Sequence, residues 1–147
     1  MPDYPEVSTY GIDHVGLSVG DLESTLGFFC DGLGWRLVGE RKDYPAAFVS
    51  DGHGVVTLWQ VESPGAAIAF DRRANVGLHH LAIAVVDHAG LEALYERALS
   101  WPGVVVEFGP QVSGGGPKIH FIVREPGGVR LEFAFDPRLE AARKSKP

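Results

Sequence analysis

Several things are scarce in this chain, and each scarcity excludes something. A single cysteine, Cys30, leaves no internal disulfide to form. Stability must then come from a packed core, and the composition fits a reducing cytoplasm. As a lone thiol Cys30 reads as a small buried hydrophobe rather than a nucleophile. Positive charge is in the minority, with 13 Lys and Arg against 19 Asp and Glu and a net charge of −6. No basic stripe with interleaved aromatics offsets that balance, which argues against a nucleic-acid surface. No apolar run approaches the roughly 20 residues of a membrane-spanning helix. The start, Met1-Pro2-Asp3-Tyr4, lacks the basic and apolar regions of a signal peptide.

What is present is a repeat. Ile12-Asp13-His14-Val15-Gly16-Leu17-Ser18-Val19-Gly20-Asp21 returns as Leu78-His79-His80-Leu81-Ala82-Ile83-Ala84-Val85-Val86-Asp87, 66 positions later. Each copy carries a His third in an apolar run and closes on an Asp. Such a period means two copies of one supersecondary unit, here within a chain of 147 residues, long enough for one domain with a real core.

Each unit reads as β-α-β-β-β. Residues 12–19 alternate as a strand, Asp21 is a helix N-cap, and Leu22, Leu26, Phe29 and Leu33 follow at helical spacing until Gly32 and Gly34. Strands are expected at 35–40, 46–50 and 55–61, then a linker over 62–77. The second copy has a strand over 78–85, a helix capped by Asp87 and broken at Trp101-Pro102-Gly103, and strands over 104–108, 118–123 and 129–135. The expected domain spans 10–137, as modules 10–62 and 77–137, and 138–147 form a solvated tail.

Parity assigns the strand faces. Val15, Leu17 and Val19 oppose His14, Gly16 and Ser18. Leu81, Ile83 and Val85 oppose His80, Ala82 and Ala84. Leu131, Phe133 and Phe135 oppose Glu132 and Ala134. One face is large and apolar, suited to packing under a helix. The other holds a metal-capable residue among small ones and suits a cavity wall. Aligning Asp51-Gly52 with Pro126-Gly127 sets Thr57 opposite Glu132. His14, His80 and Glu132 are therefore candidate ligands for one divalent ion per site, and Thr57 offers at most a hydroxyl. Two imidazoles and a carboxylate with open positions suit Fe, Mn, Ni, Co or Zn. The ordinary alternatives are structural histidines and a solvent-facing Glu132. His79 competes with His80 but aligns with Asp13; His53 and His88 fall at a turn and a helix start.

These residues resemble the vicinal oxygen chelate superfamily, which includes glyoxalase I, bleomycin and fosfomycin resistance proteins, methylmalonyl-CoA epimerase and extradiol dioxygenases. The carriers are Asp13-His14-Val15-Gly16-Leu17-Ser18-Val19, Gly77-Leu78-His79-His80-Leu81-Ala82 and Glu125-Pro126-Gly127-Gly128-Val129-Arg130-Leu131-Glu132. The resemblance implies an α+β fold of two repeated modules forming a U-shaped mixed sheet around a cavity, with His14, Thr57, His80 and Glu132 converging in it. Glyoxalase I and the epimerase place a Glu or Gln where Thr57 stands, so neither activity is expected. Fosfomycin resistance enzymes and extradiol dioxygenases carry a Tyr at the position of Ile122. Parity turns Lys118, His120 and Ile122 toward the cavity. His120 is a candidate acid–base group, with a surface histidine as the alternative. Trp59 and Phe48 are candidates for a substrate wall beside Thr57 and Ile122. Arg124 is a candidate partner for an anionic substrate, with a solvated turn arginine as the alternative.

The expected protein is a metal-dependent enzyme of lyase, isomerase or dioxygenase type, acting on a small substrate chelated through two oxygens. The alternatives are metal-free sequestration of a planar ligand, as in bleomycin resistance, and a regulatory dimer without chemistry. A homodimer is expected because open sheet edges and apolar surface, with Trp35, Phe70 and Trp101 as exposed candidates, need covering.

Overall fold

A computed structural model describes residues 5–145, leaving the extreme N-terminus and the last two residues of the expected tail outside the described residues. Module one runs β1 (His14–Val19), helix α1 (Leu22–Gly27), a π-helical turn (Phe28–Gly32), β2 (Arg36–Arg41), β3 (Ala46–Ser50) and β4 (Val55–Gln60). Module two runs β5 (Leu81–Ala84), α2 (His88–Ser100), β6 (Val105–Val112), β7 (Ile119–Arg124) and β8 (Arg130–Phe135). Each module closes its own four-stranded mixed sheet, ordered β1-β4-β3-β2 and β5-β8-β7-β6. The first strand runs parallel to the fourth in both. The crossover this requires is the helix in each module. This is the α+β architecture of two repeated β-α-β-β-β units that the repeat implies.

The helices begin where their caps are. Asp21 accepts from the Ser24 backbone N–H at 3.0 Å, and Asp87 from Gly90 at 2.6 Å. Gln60 adds a second cap, accepting from the Leu22 N–H at 2.8 Å. Its side chain therefore lies on the helix side of the sheet, away from Thr57. Successive Phe28 and Phe29, in the π turn, are both buried. Phe28 meets Trp101 edge-on at 5.9 Å, and Phe29 meets Trp35 at 5.2 Å. Both tryptophans thus pack against the core, which corrects their reading as exposed surface. Phe70 is the one of the three that stays exposed.

The modules share one core, built from Leu17, Val19, Val49 and Leu58 on one side and Leu91, Phe121, Val123, Leu131 and Phe133 on the other. Polar contacts bind them too. Gly20 N–H donates to the Gly127 carbonyl at 3.0 Å, Thr25 Oγ1 to Glu125 at 2.7 Å, and Arg97 to the Gly32 carbonyl at 2.7 Å.

Three segments differ from the sequence expectation. β5 is shorter than 78–85 because it is an edge strand whose one neighbour, β8, pairs with it only from Leu131 onward. β6 continues through Gly109-Pro110 to Val112. A proline is tolerated there because β6 is also an edge, where a missing N–H costs no ladder bond. Pro137–Lys144, overlapping the tail expected over 138–147, forms an exposed helix α3, capped by Asp136 and with Pro137 in its first turn.

Candidate functional site

The faces of the two sheets away from the helices carry the candidate residues. In module two, Ala82, Glu132, Ile122 and Phe108 form one cross-strand row, and Ala84, Ala134, His120 and Gln111 form the next. Residues directly opposite share a face. The small side chains of Ala82, Ala84 and Ala134 leave room above Glu132. His80 Nε2 lies 3.0 Å from one Glu132 oxygen, and His120 Nδ1 lies 2.8 Å from the other. Lys118 Nζ stands 3.6 Å from the same oxygen as His120. Glu132 is buried. Burial by itself would raise its pKa, but the His120 hydrogen bond and the charges of Lys118, His120 and His80 hold the carboxyl below its ordinary value. A buried carboxylate that stays ionised between two imidazoles is a nucleus for metal binding or proton transfer.

His79 is exposed, 2.8 Å from His80 and 3.3 Å from an Arg130 nitrogen. Burial first, then the positive charges of Arg130, His80 and Arg72, push its pKa down. His53 is exposed at a turn. His88 pairs with Glu92 one helical turn on.

In module one the corresponding row is Gly16, Thr57, Phe48 and Gly39. Thr57 is buried and accepts from Trp59 Nε1 at 2.9 Å. Phe48 and Tyr44 stand 5.9 and 5.0 Å from the Trp59 ring, and the Arg41 guanidinium lies 5.8 Å from its centroid. This is an aromatic wall. The sequence reading included Phe48 and Trp59 but missed Tyr44. Tyr44 lies in the turn that precedes β3, where alternation assigns no face, so no sequence pattern marked it. A Cβ at residue 39 would fall 2.8 Å from the Phe48 ring, so Gly39 is what admits that ring to the wall.

His14 starts β1 on this same face, exposed, with Asp13 as its hydrogen-bond partner at 2.6 Å. Among the described residues, no hydrogen bond or ion pair joins His14 to His80 or Glu132. Nor are three His, Cys, Asp or Glu side chains grouped to hold a metal ion as they stand. Glu132 sits between His80 and His120 rather than beside them around a common point. The donor chemistry nonetheless fits a divalent ion: two neutral-capable imidazoles and an ionised carboxylate on one wall.

Residues 11–133 match the family model of the Glyoxalase/Bleomycin resistance protein/Dioxygenase superfamily. The chain belongs to this superfamily. Among solved structures it is similar to a glyoxylase/bleomycin resistance protein/dioxygenase domain from Frankia sp. EAN1pec, with 26% identity and a TM-score of 0.74 over 88% of this chain and 99% of that one. It shares its fold with a lactoylglutathione lyase from Agrobacterium tumefaciens, at 20% identity and a TM-score of 0.66 over 88% and 96% of the two chains. It also shares its fold with a glyoxalase I variant from Zea mays, at 24% identity and a TM-score of 0.66. That match covers 83% of this chain and 44% of the maize one, so this chain spans less than half of the maize length. No curated protein matches significantly in sequence. Among the described residues of this superfamily member, no helix is long and apolar enough to cross a membrane.

Proposed function

We propose that this superfamily member is a divalent-metal-dependent enzyme acting on a small substrate through two of its oxygens, by lyase, isomerase or dioxygenase chemistry. The observation that carries the reading is the ionised Glu132 between His80 and His120 on a face of small residues. His80 and Glu132 would hold the ion with His14, and Fe, Mn, Ni, Co or Zn all suit that set. When bound, the ion polarises the chelated oxygens. His120, hydrogen-bonded to Glu132, holds or moves the proton at its ring nitrogen. Ile122 and Thr57 line the site, and Phe48 and Trp59 wall it.

The site sits in a single domain over 10–137, with modules 10–62 and 77–137, working in the cytoplasm as a homodimer. A dimer would let His14 and His80, which share no hydrogen bond or ion pair within the chain, meet across a shared site: a second copy can set β1 of one chain against β5 of the other. Elemental analysis after metal reconstitution tests the reading. About one ion per chain is expected, and His80→Ala must lower occupancy. Unchanged stoichiometry and affinity in that variant would exclude the assignment.

A second reading, metal-free sequestration of a planar ligand, is favoured by the aromatic wall of Tyr44, Phe48 and Trp59. Ligand binding that survives chelation and His80→Ala, but not Trp59→Ala, would establish it instead.

A further inference from the structure

A cavity of about 850 Å³ lies beside the candidate site, between Gly16–Ser18 of β1, the linker at 67–72 and 76–78, and the β7–β8 end of module two. Its charged lining is Arg72, Arg124, Arg130, Glu107 and Asp71, and its apolar lining includes Phe70, Leu78 and Val129. We infer that this cavity binds an organic oxyanion, a carboxylate or phosphate group carried on an apolar body. The inference deepens the proposed function by naming the charge of the substrate, and it rests on that reading only in taking the anion to be part of the substrate.

Charge placement makes the argument. Arg124 and Arg130 are direct cross-strand partners on one face. Like charges so placed repel. One carboxylate answers Arg130 and leaves Arg124 without a counter-charge among the described residues. Glu107 takes Arg130 Nε at 2.9 and 3.1 Å, and Arg72 approaches the same group at 3.9 Å. Asp71 is turned to its own loop, accepting from the Arg73 N–H at 2.8 Å. Arg124 has no ion-pair partner among the described residues, in a chain whose net charge is −6. Three guanidiniums against two carboxylates leave an excess positive charge in a concave site.

The site is also built rather than loose. The Arg130 and Glu107 side chains are 14% and 19% exposed, so the Glu107 contact fixes Arg130 in place. With Nε on Glu107 and Nη1 3.3 Å from His79 Nδ1, the fixed guanidinium keeps the N–H groups of Nη2 for an oxyanion, as charge-assisted donors to a carboxylate or phosphate oxygen. Distance ties the cavity to the chemistry. Arg130 precedes Glu132 by two residues on the same face of β8, about 7 Å along the strand. An anion held there would leave a small apolar body within reach of Glu132 and His80. Phe70, Leu78 and Val129 supply the surface for that body.

The test is calorimetric titration of the metal-stripped full chain at low salt with benzoate, phenyl phosphate, inorganic phosphate and benzyl alcohol. Metal removal separates it from the metal hypothesis, which can fail while anion binding stands. Benzoate or phenyl phosphate should bind, and the stronger of the two identifies the anion. Benzyl alcohol should not bind. Arg124→Gln, at an exposed and unpaired position, should weaken binding about tenfold, the scale of one charge-assisted hydrogen bond. Arg36→Gln, exposed on β2, should leave binding unchanged. In the unmodified protein the Arg130 Nε–H resonance should move on adding benzoate, a readout independent of any variant. Equal binding of benzyl alcohol and benzoate, or an Arg130 resonance that stays fixed, overturns the anion site. Inorganic phosphate binding as tightly as phenyl phosphate overturns the apolar half of the inference.

Discussion

Thr57 is occupied by a structural task. Its hydroxyl accepts the Trp59 indole N–H, and a Cβ at residue 16 would come within 3.2 Å of it. It holds the aromatic wall and has no carboxylate with which to move a proton between adjacent carbons. The protein should therefore show no turnover of the methylglyoxal–glutathione hemithioacetal or of methylmalonyl-CoA epimers at ordinary enzyme rates, about 1 per second or more. Coupled assays of the metal-reconstituted protein check this. Glu125 is a second residue whose surroundings set its behaviour. Burial raises its pKa above the ordinary 4.5, against the lowering effect of hydrogen bonds from Val129, Gly127 and Thr25. The folded state then holds a proton that the unfolded state has lost, so its contribution to stability falls as pH rises from about 4.5 through the raised value. Glu125→Gln should flatten that slope in urea titrations run across pH. It should also cost about 1–3 kcal/mol, because one amide oxygen cannot serve the donors that now reach two carboxylate oxygens.

The turn between β7 and β8 locks the two modules together. Glu125 accepts from the Gly127 and Val129 N–H groups at 2.7 and 2.9 Å and from Thr25 of α1. Gly127 makes this possible, since a Cβ there would lie 2.1 Å from Thr25 Oγ1 and 2.9 Å from Glu125 Oε1. Gly127→Ala should lower stability by about 1–3 kcal/mol, as overpacking does, and Thr25→Ala in the same chain should recover part of it. Thermal unfolding of the single and double variants measures both. The elements themselves were largely legible in the sequence. Alternation placed β1, β3, β4, β7 and β8 to within a residue or two, and Asp21 and Asp87 marked both helix starts. Less visible were the extent of β5 and β6, which depends on what an edge strand finds to pair with, and the helix at Pro137–Lys144.

At the scale of the whole molecule, apolar surface and open edges remain. β1 and β5 are edge strands. Tyr10, Ile12, Ile68 and Val76, in the segments leading into them, are more than four-fifths exposed. A symmetric pair is the commonest way to cover open edges and exposed apolar residues. Light scattering at low micromolar concentration should give twice the 15.9 kDa of one chain. If the site is shared, mixing His14→Ala with His80→Ala chains should restore metal to one of the two sites, that formed by His14 of one variant and His80 of the other. A monomer mass, or no recovery on mixing, places the site within one chain.

By itself the sequence determined the two modules, the side of the sheet on which each candidate residue lies, and the superfamily. The first two depend on local periodicity, since alternation sorts faces and a repeat folds as a repeat, and the superfamily came from the resemblance of the motifs around His14, His80 and Glu132. Only tertiary structure decided which residues meet. His120 reached Glu132 because β7 and β8 pair in one particular register, Trp101 and Trp35 went inward onto the rings of Phe28 and Phe29, and three arginines gathered where the linker crosses the end of β8. Those contacts depend on strand register and on packing between elements, and no local pattern specifies them.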